Sequence, residues 1–241
     1  MEVVVSPVEE WPSRVADEWS RRLAAYPALR MCCPTGATPE PAYTEIAGRV
    51  AAGETSFARA AIFVLDEYLG LAPGHPASCE AMLRRSLVDH IDVDPGSVHY
   101  FATGSGDPDG AAARLDAEIG SGELDLAIVG LGLNGHVGMN EPGSPVGSAT
   151  RVVELAESTR RTAVGYGAGE PPTHGVTIGL RRIMASAEVW LLVTGEHKAS
   201  ILDQTLRTEI TPAIPASLLR SHPALSVFAD APAASHLAAV S

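Results

Sequence analysis

The chemistry-capable side chains of this sequence gather in short runs, and the densest is Gly130–Ser144, GLGLNGHVGMNEPGS. It holds His136, Asn140 and Glu141 close together, among glycines that let a ligand approach the backbone. A histidine oriented by a carboxylate is suited to shuttling protons to oxygen near neutral pH, so the run reads as an acid/base loop. Its first six residues also match G-x-G-x-x-G behind an apolar run, the pattern of a dinucleotide site. That fingerprint requires a helix opening at the third glycine, whereas Gly138, Pro142, Gly143 and Pro145 follow within ten residues. Glu154 stands at the offset of a ribose-binding acid, but without the intervening helix that match carries little weight. Taken alone, His136 reads more readily as an incidental loop residue.

Three further runs follow apolar stretches of strand length. Pro34-Thr35-Gly36-Ala37-Thr38-Pro39 leads into a helical pattern, and hydroxyls with free N–H groups at a helix N-terminus suit an anion. The same run also reads as an ordinary βα turn with Thr38 as N-cap. Asp66-Glu67-Tyr68 follows AIFVL, and an acid there can act as a general base. Alternate residues of a strand point to opposite sides, so at most one of the two acids faces a given pocket. The plainer alternative is a solvated loop start in which one acid caps the next turn. Thr194-Gly195-Glu196-His197-Lys198 follows VWLLV, and its Lys198 is the single lysine against sixteen arginines. A compact point charge at a helix start suits a phosphate better than a planar fork does, the alternative being a surface lysine.

These runs need elements to hold them. With 241 residues, 46% of them hydrophobic, the chain can bury a sizeable core as one domain over residues 1–241. Apolar runs alternate with amphipathic stretches, which predicts a doubly wound α/β fold: a mostly parallel sheet with helices on both faces. The expected strands are Arg30–Cys33, Ala60–Leu65, Ser97–Phe101, Leu124–Val129, Gly175–Ile178, Glu188–Val193 and Leu225–Phe228. Helices are expected near Val8–Ala25, Glu40–Ala51, Ala77–Asp89, Gly110–Ile119, Ser158–Tyr166 and His197–Leu206. Cys32, Cys33 and Cys79 fit neither a disulfide framework nor zinc-ligand spacing, which points to a reducing, cytoplasmic setting. A formal charge of −12 with scattered arginines argues against nucleic acid as a partner. The short apolar stretch in MEVVVSPVEE is neither a signal-peptide core nor a membrane span, and no later stretch is long enough.

Taken in order, LDEYLGL, GLGLNGHVGMNEPGS, GVTIGLRRIMASAEVWLLVTGEHK and PAIPASLL resemble the glucosamine-6-phosphate deaminase/isomerase family from about Pro34 to Leu219. The sister 6-phosphogluconolactonases are similar in fold, acid pair and G-x-G-x-x-G-H loop but lack the NEPG continuation. The resemblance implies an enzyme that opens a 2-amino-2-deoxyhexose 6-phosphate, moves a proton from C2 to C1 and hydrolyses the resulting imine to a ketohexose phosphate and ammonia. It implies Asp66 as the base at C2, His136 supported by Glu141 in ring opening, and Thr35, Gly36, Ala37, Thr38 and Lys198 around the phosphate. No metal or organic cofactor is implied, the partner is a small sugar phosphate, and a homo-oligomer is left open.

Two departures stand out. Asn134 occupies a position where glucosamine-type members carry aspartate, and an amide cannot strengthen a histidine's basicity as a carboxylate can. Together with TGATP and PAIPASLL, it resembles the galactosamine-6-phosphate branch. An arginine expected after the NEPG loop is missing: Arg160 and Arg161 lie early and Gly165 stands in its place. A lactone hydrolase, or a sugar-phosphate sensor without turnover, would account for parts of the same pattern.

Overall fold

The apolar runs become strands with almost every residue buried, which requires cover on both faces. The structure, a computed structural model, describes residues 1–120 and 123–237; Ser121, Gly122 and residues 238–241 of the Ala-rich tail lie outside it. Its first half runs β1 (Glu2–Ser6), α1 (Trp11–Ala25), β2 (Arg30–Cys33), α2 (Glu40–Ala51), β3 (Ala61–Val64), β4 (Asp66–Tyr68), α3 (Cys79–Ser86), β5 (Val98–His99) and α4 (Pro108–Ile119). It continues with β6 (Leu126–Gly130), β7 (Arg151–Glu154), α5 (Glu157–Gly165), β8 (His174–Thr177), α6 (Leu180–Ala185), β9 (Glu188–Val193), α7 (Ala199–Arg207), α8 (Pro215–Leu218) and β10 (Leu225–Asp230). Among the described residues no helix is long and apolar enough to cross a membrane.

Seven strands form one parallel sheet in the order β1-β10-β9-β6-β2-β3-β5. The chain builds outward from β2 to β3 and β5, then returns to lie beside β2 as β6 and builds the other way through β9 and β10. Connections therefore diverge between β2 and β6, and the crevice beyond their carboxyl ends is where a ligand binds in such sheets. The doubly wound, mostly parallel α/β expectation holds.

One strand departs from it. The Gly175–Ile178 run, expected within the parallel series, is β8 of a separate three-stranded antiparallel sheet, β4-β8-β7. Burial pattern alone does not encode strand direction, and the short RVVE of β7, with a charge at each end, gives little strand signal. The edge strand β1 and the short helices α6 and α8 were also absent from the expected elements. α1 begins at Trp11 and not Val8, with a proline in its first turn, where a missing N–H costs nothing.

The core is anchored by fully buried aromatics. Trp19 on α1 packs against Tyr43 of α2 at 5.8 Å between ring centres and against Phe57 at 5.5 Å, edge-on to the latter. Trp190 of β9 meets Phe228 of β10 at 5.2 Å. Because Trp19 clamps two helices to the sheet, Trp19→Ala is expected to cost about 3–5 kcal/mol of stability in denaturant unfolding; a loss below about 1 kcal/mol would contradict this packing.

Candidate active site

A cavity of about 300 Å³ opens at the predicted crevice, and all four runs reach it: Thr35, Ala37 and Thr38 after β2, Asp66 after β3, His136 after β6, and Thr194 and Lys198 after β9. What separates the chemistry of these residues is how each is held.

The acid pair divides its labour. Leu65 leaves the parallel sheet and the chain enters β4, where Asp66 pairs with Thr177 of β8. Asp66 is buried and lines the cavity. Burial pushes its pKa up to about 6, against the Cys79 thiol and the nearby His136, which pull it down. Glu67 points the other way, as strand alternation demands. Its carboxylate accepts the backbone N–H groups of Tyr68 (2.7 Å), Cys79 (2.8 Å) and Glu80 (2.8 Å), and so seals the first turn of α3. Burial raises the Glu67 pKa to about 7, opposed by those three donors. One acid does cap the next element, as the plainer alternative has it, but neither is solvated.

Behind His136 stands a network of polar groups. Its Nδ1 lies 3.3 Å from a Glu141 carboxylate oxygen and 3.2 Å from the Thr159 hydroxyl on α5. With Nδ1–H directed at Glu141, the Nε2 edge is left for the cavity. That edge packs so closely on Gly132 that a side chain there would collide with the ring. Burial alone would raise the Glu141 pKa, but His136, Thr159 and Asn134 together bring it down to about 2. Asn134 donates its amide N–H to Glu141 at 2.8 Å and accepts the His136 backbone N–H at 3.2 Å. Neither Asn134 nor Glu141 is on the cavity wall, so both act through His136. Asn140, counted with the acid/base cluster in the sequence, has a different place: its amide donates to the carbonyls of Val137 (3.0 Å) and Ile178 (2.9 Å) and accepts Arg151 at 2.9 Å. It is a clamp on the loop.

The turn after β2 and Lys198 share the cavity wall. Gly36 has φ of +92°, a conformation L side chains resist, so the turn after β2 needs glycine there. Lys198 donates to the Leu131 carbonyl and is partly buried, which lowers its pKa to about 8. Its turn is fixed by buried Asp230, whose carboxylate accepts the Gly195 N–H at 2.9 and 3.0 Å. Lys198 therefore differs from a free surface lysine.

Thr159 and Tyr166 line the cavity and were not singled out in the sequence, and Cys79, weighed there only for disulfide and zinc spacing, lines it too. Thr159 and Tyr166 sit on or beside α5, a helix whose polar STRRT start resembles any solvated face. The helix that a dinucleotide fingerprint requires at the third glycine is absent, as the glycines and prolines after it imply; turns continue from there to β7. Among the described residues no group of three or more His, Cys, Asp or Glu side chains is placed to hold a metal ion.

The family model of glucosamine-6-phosphate isomerases/6-phosphogluconolactonase matches residues 8–227. The glucosamine-6-phosphate deaminase of Arthrobacter sp. (strain FB24) is 36% identical over 248 residues, spanning 98% of this chain and 93% of that protein. That of Beutenbergia cavernae is 37% identical over 242 residues, with the same coverage of 98% and 93%. A solved monomeric glucosamine-6-phosphate deaminase superposes with a TM-score of 0.94 at 30% identity, covering 98% of this chain and 100% of that one. The 6-phosphogluconolactonase of Thermotoga maritima, at 19% identity and a TM-score of 0.75 over 95% and 99% of the two chains, shares the fold. Matched in sequence and architecture along nearly its whole length, the chain belongs to the family of glucosamine-6-phosphate isomerases and 6-phosphogluconolactonases.

Proposed function

We propose that the protein is an amino-sugar phosphate deaminase/isomerase, one domain over residues 1–241, acting in the cytoplasm on glucosamine- or galactosamine-6-phosphate. The observation that carries this reading is a single cavity lined both by a turn suited to an anion, with Lys198, and by a buried carboxylate and a histidine. That is the layout a phosphorylated sugar needs if its phosphate is to be held while its far end reacts. A lactone hydrolase would make no use of a base at C2.

The phosphate lies in the turn Thr35–Thr38, with Lys198 supplying the point charge. His136, its Nδ1 occupied by Glu141, takes the proton of the C1 hydroxyl at Nε2 and passes it to the ring oxygen as the bond between C1 and that oxygen breaks, which opens the sugar to its aldehyde. Asp66 then removes the C2 proton, and the electron pair forms a C1–C2 double bond as the carbonyl oxygen takes up a proton. Return of the proton to C1 moves the unsaturation to C2 and nitrogen, and water adds there to release ammonia and leave the ketose. A carboxylate with a pKa near 6 suits this step, being ionised at neutral pH yet basic enough to take a proton. Asn134 serves by holding Glu141 and has no cavity face from which to sort epimers at C4.

Purified protein given either amino-sugar phosphate is expected to release ammonia and a ketose phosphate, and to wash a deuterium label out of C2. Asp66→Asn is expected to stop the washout while inorganic phosphate still binds. Silence with both sugars, or turnover that leaves the label in place, would overturn the reading.

The pH profile follows from the two shifted groups. For the free enzyme, kcat/KM is expected to rise through about pH 6 as Asp66 loses its proton. It is expected to fall above about pH 8 as Lys198 loses its charge. A flat profile between pH 5 and 9 would contradict both assignments.

Stability should move against activity. The folded state binds the Asp66 proton more tightly than the unfolded chain, so this contribution to stability is full below the ordinary 3.8 and lost as pH rises through about 6. Asp66→Asn cannot ionise; it is expected to match the parent near pH 4 and exceed it by up to about 3 kcal/mol at pH 7.5, read from urea midpoints. An equal difference at both pH values would remove the argument.

A further inference from the structure

The anion end of the cavity is short of positive charge. No arginine is among the residues lining it, and Lys198 is the one lysine of the chain. Arg161 is exposed and paired with Glu157 at 2.8 Å, one turn back along α5. A doubly charged phosphate would need more donors than one partly buried ammonium and a turn of backbone N–H groups.

The carboxyl end of α5 delivers a different group to that spot. Tyr166 follows the last helical residue, its backbone N–H held by the carbonyls of Thr162 (3.2 Å) and Ala163 (3.1 Å), and its ring packs on the core. The phenol oxygen reaches the turn after β2 and accepts the Ala37 N–H at 3.4 Å. It lies so near that a Cβ on Gly36 would come within 2.5 Å of it. The hydroxyl has one proton to give, and with its oxygen already serving Ala37 that proton is available to a ligand in the cavity that Tyr166 lines. Burial raises the phenol pKa, which keeps the group a donor across the working range.

We propose that Tyr166 is a phosphate-recognition residue, its hydroxyl donating to a phosphate oxygen in the Thr35–Thr38 turn where a second cation would otherwise stand. The proposal rests on the reading of that turn as the substrate's phosphate site. It makes the cradle a site of neutral donors around one charge. It also gives α5 two duties, since the same helix places Thr159 against His136 at the reacting end.

Tyr166→Phe keeps the ring and removes the donor. Inorganic phosphate affinity, by calorimetry and by competition, is expected to weaken about ten- to hundredfold in this variant, the usual loss for one hydrogen bond to a charged group. KM for the amino-sugar phosphate should rise by a similar factor with kcat unchanged, while the sugar lacking phosphate reacts as poorly as with the parent. Phosphate binding unchanged in the variant, or a fall confined to kcat, overturns the role of Tyr166. A parent protein that binds no phosphate and treats both sugars alike overturns the underlying functional reading instead. The parent also gives a reading that needs no variant: adding inorganic phosphate should shift the tyrosine absorption band, and the absence of a shift counts against the proposal.

Discussion

Everything at the reacting end hangs on the peptide of Leu65, which belongs to both sheets. Its N–H donates to the Cys33 carbonyl at 3.0 Å, the last rung of the parallel ladder with β2, and its carbonyl accepts the Ile178 N–H at 2.9 Å, continuous with β8. The chain thus leaves one sheet and enters the other without an intervening loop. This sets the side on which Asp66 emerges. A slip of one residue would turn every side chain over. Glu67 would then face the crevice, and Asp66, one methylene shorter, would be left to reach the first turn of α3. Two backbone donors of α3, the Cys79 and Glu80 N–H groups, wait for the Glu67 carboxylate and lock the register from the far side. The helix cap and the carboxylate in the cavity are two consequences of one alternation.

The cavity separates its titrating groups by surroundings more than by residue type. Two carboxylates stand on either side of His136: Glu141, behind the ring and wrapped in donors, is held near 2, and Asp66, before it and mostly desolvated, is raised to about 6. The first is committed to its charge and can only orient; the second can change state during a turnover. Asn134 belongs to this division. An aspartate in its place would set a second anion 2.8 Å from Glu141, where the amide now donates a hydrogen bond. The amide gives up added basicity at the histidine and gains a firmly placed orienting carboxylate.

The four runs were legible because their residue types are unusual where they stand: a lone lysine, paired acids behind an apolar run, a histidine among glycines. The parallel sheet was legible for the same kind of reason, since strands buried on both faces leave continuous apolar runs. What stayed hidden was whatever depends on direction or on the third dimension. Nothing in HGVT distinguishes an antiparallel strand from a parallel one, and RVVE carries only two apolar residues between charges. Asn140 and Asn134 look alike in the sequence as polar loop residues, yet one is a fully buried clamp and the other a brace behind the histidine. Tyr166 gave no signal because its partner, the Gly36–Ala37 turn, is 129 residues away.

The retention of a lysine among sixteen arginines has a physical reading that joins the two ends of the cavity. The chain carries a formal charge of −12, so a sugar phosphate approaches against the field and is drawn in only within about the 8 Å screening length of the site. Strong binding in a site of this size would stabilise substrate and transition state alike, which deepens the bound state without speeding the chemistry. A guanidinium stays charged at every working pH and grips two oxygens at once. Lys198, with its pKa lowered to about 8 and one N–H already given to Leu131, holds more loosely. That carbonyl belongs to the loop that carries His136, so Lys198 and His136 are positioned by the same turn of chain. A substrate phosphate held there would register the sugar against Asp66 and His136, and could still let the product leave.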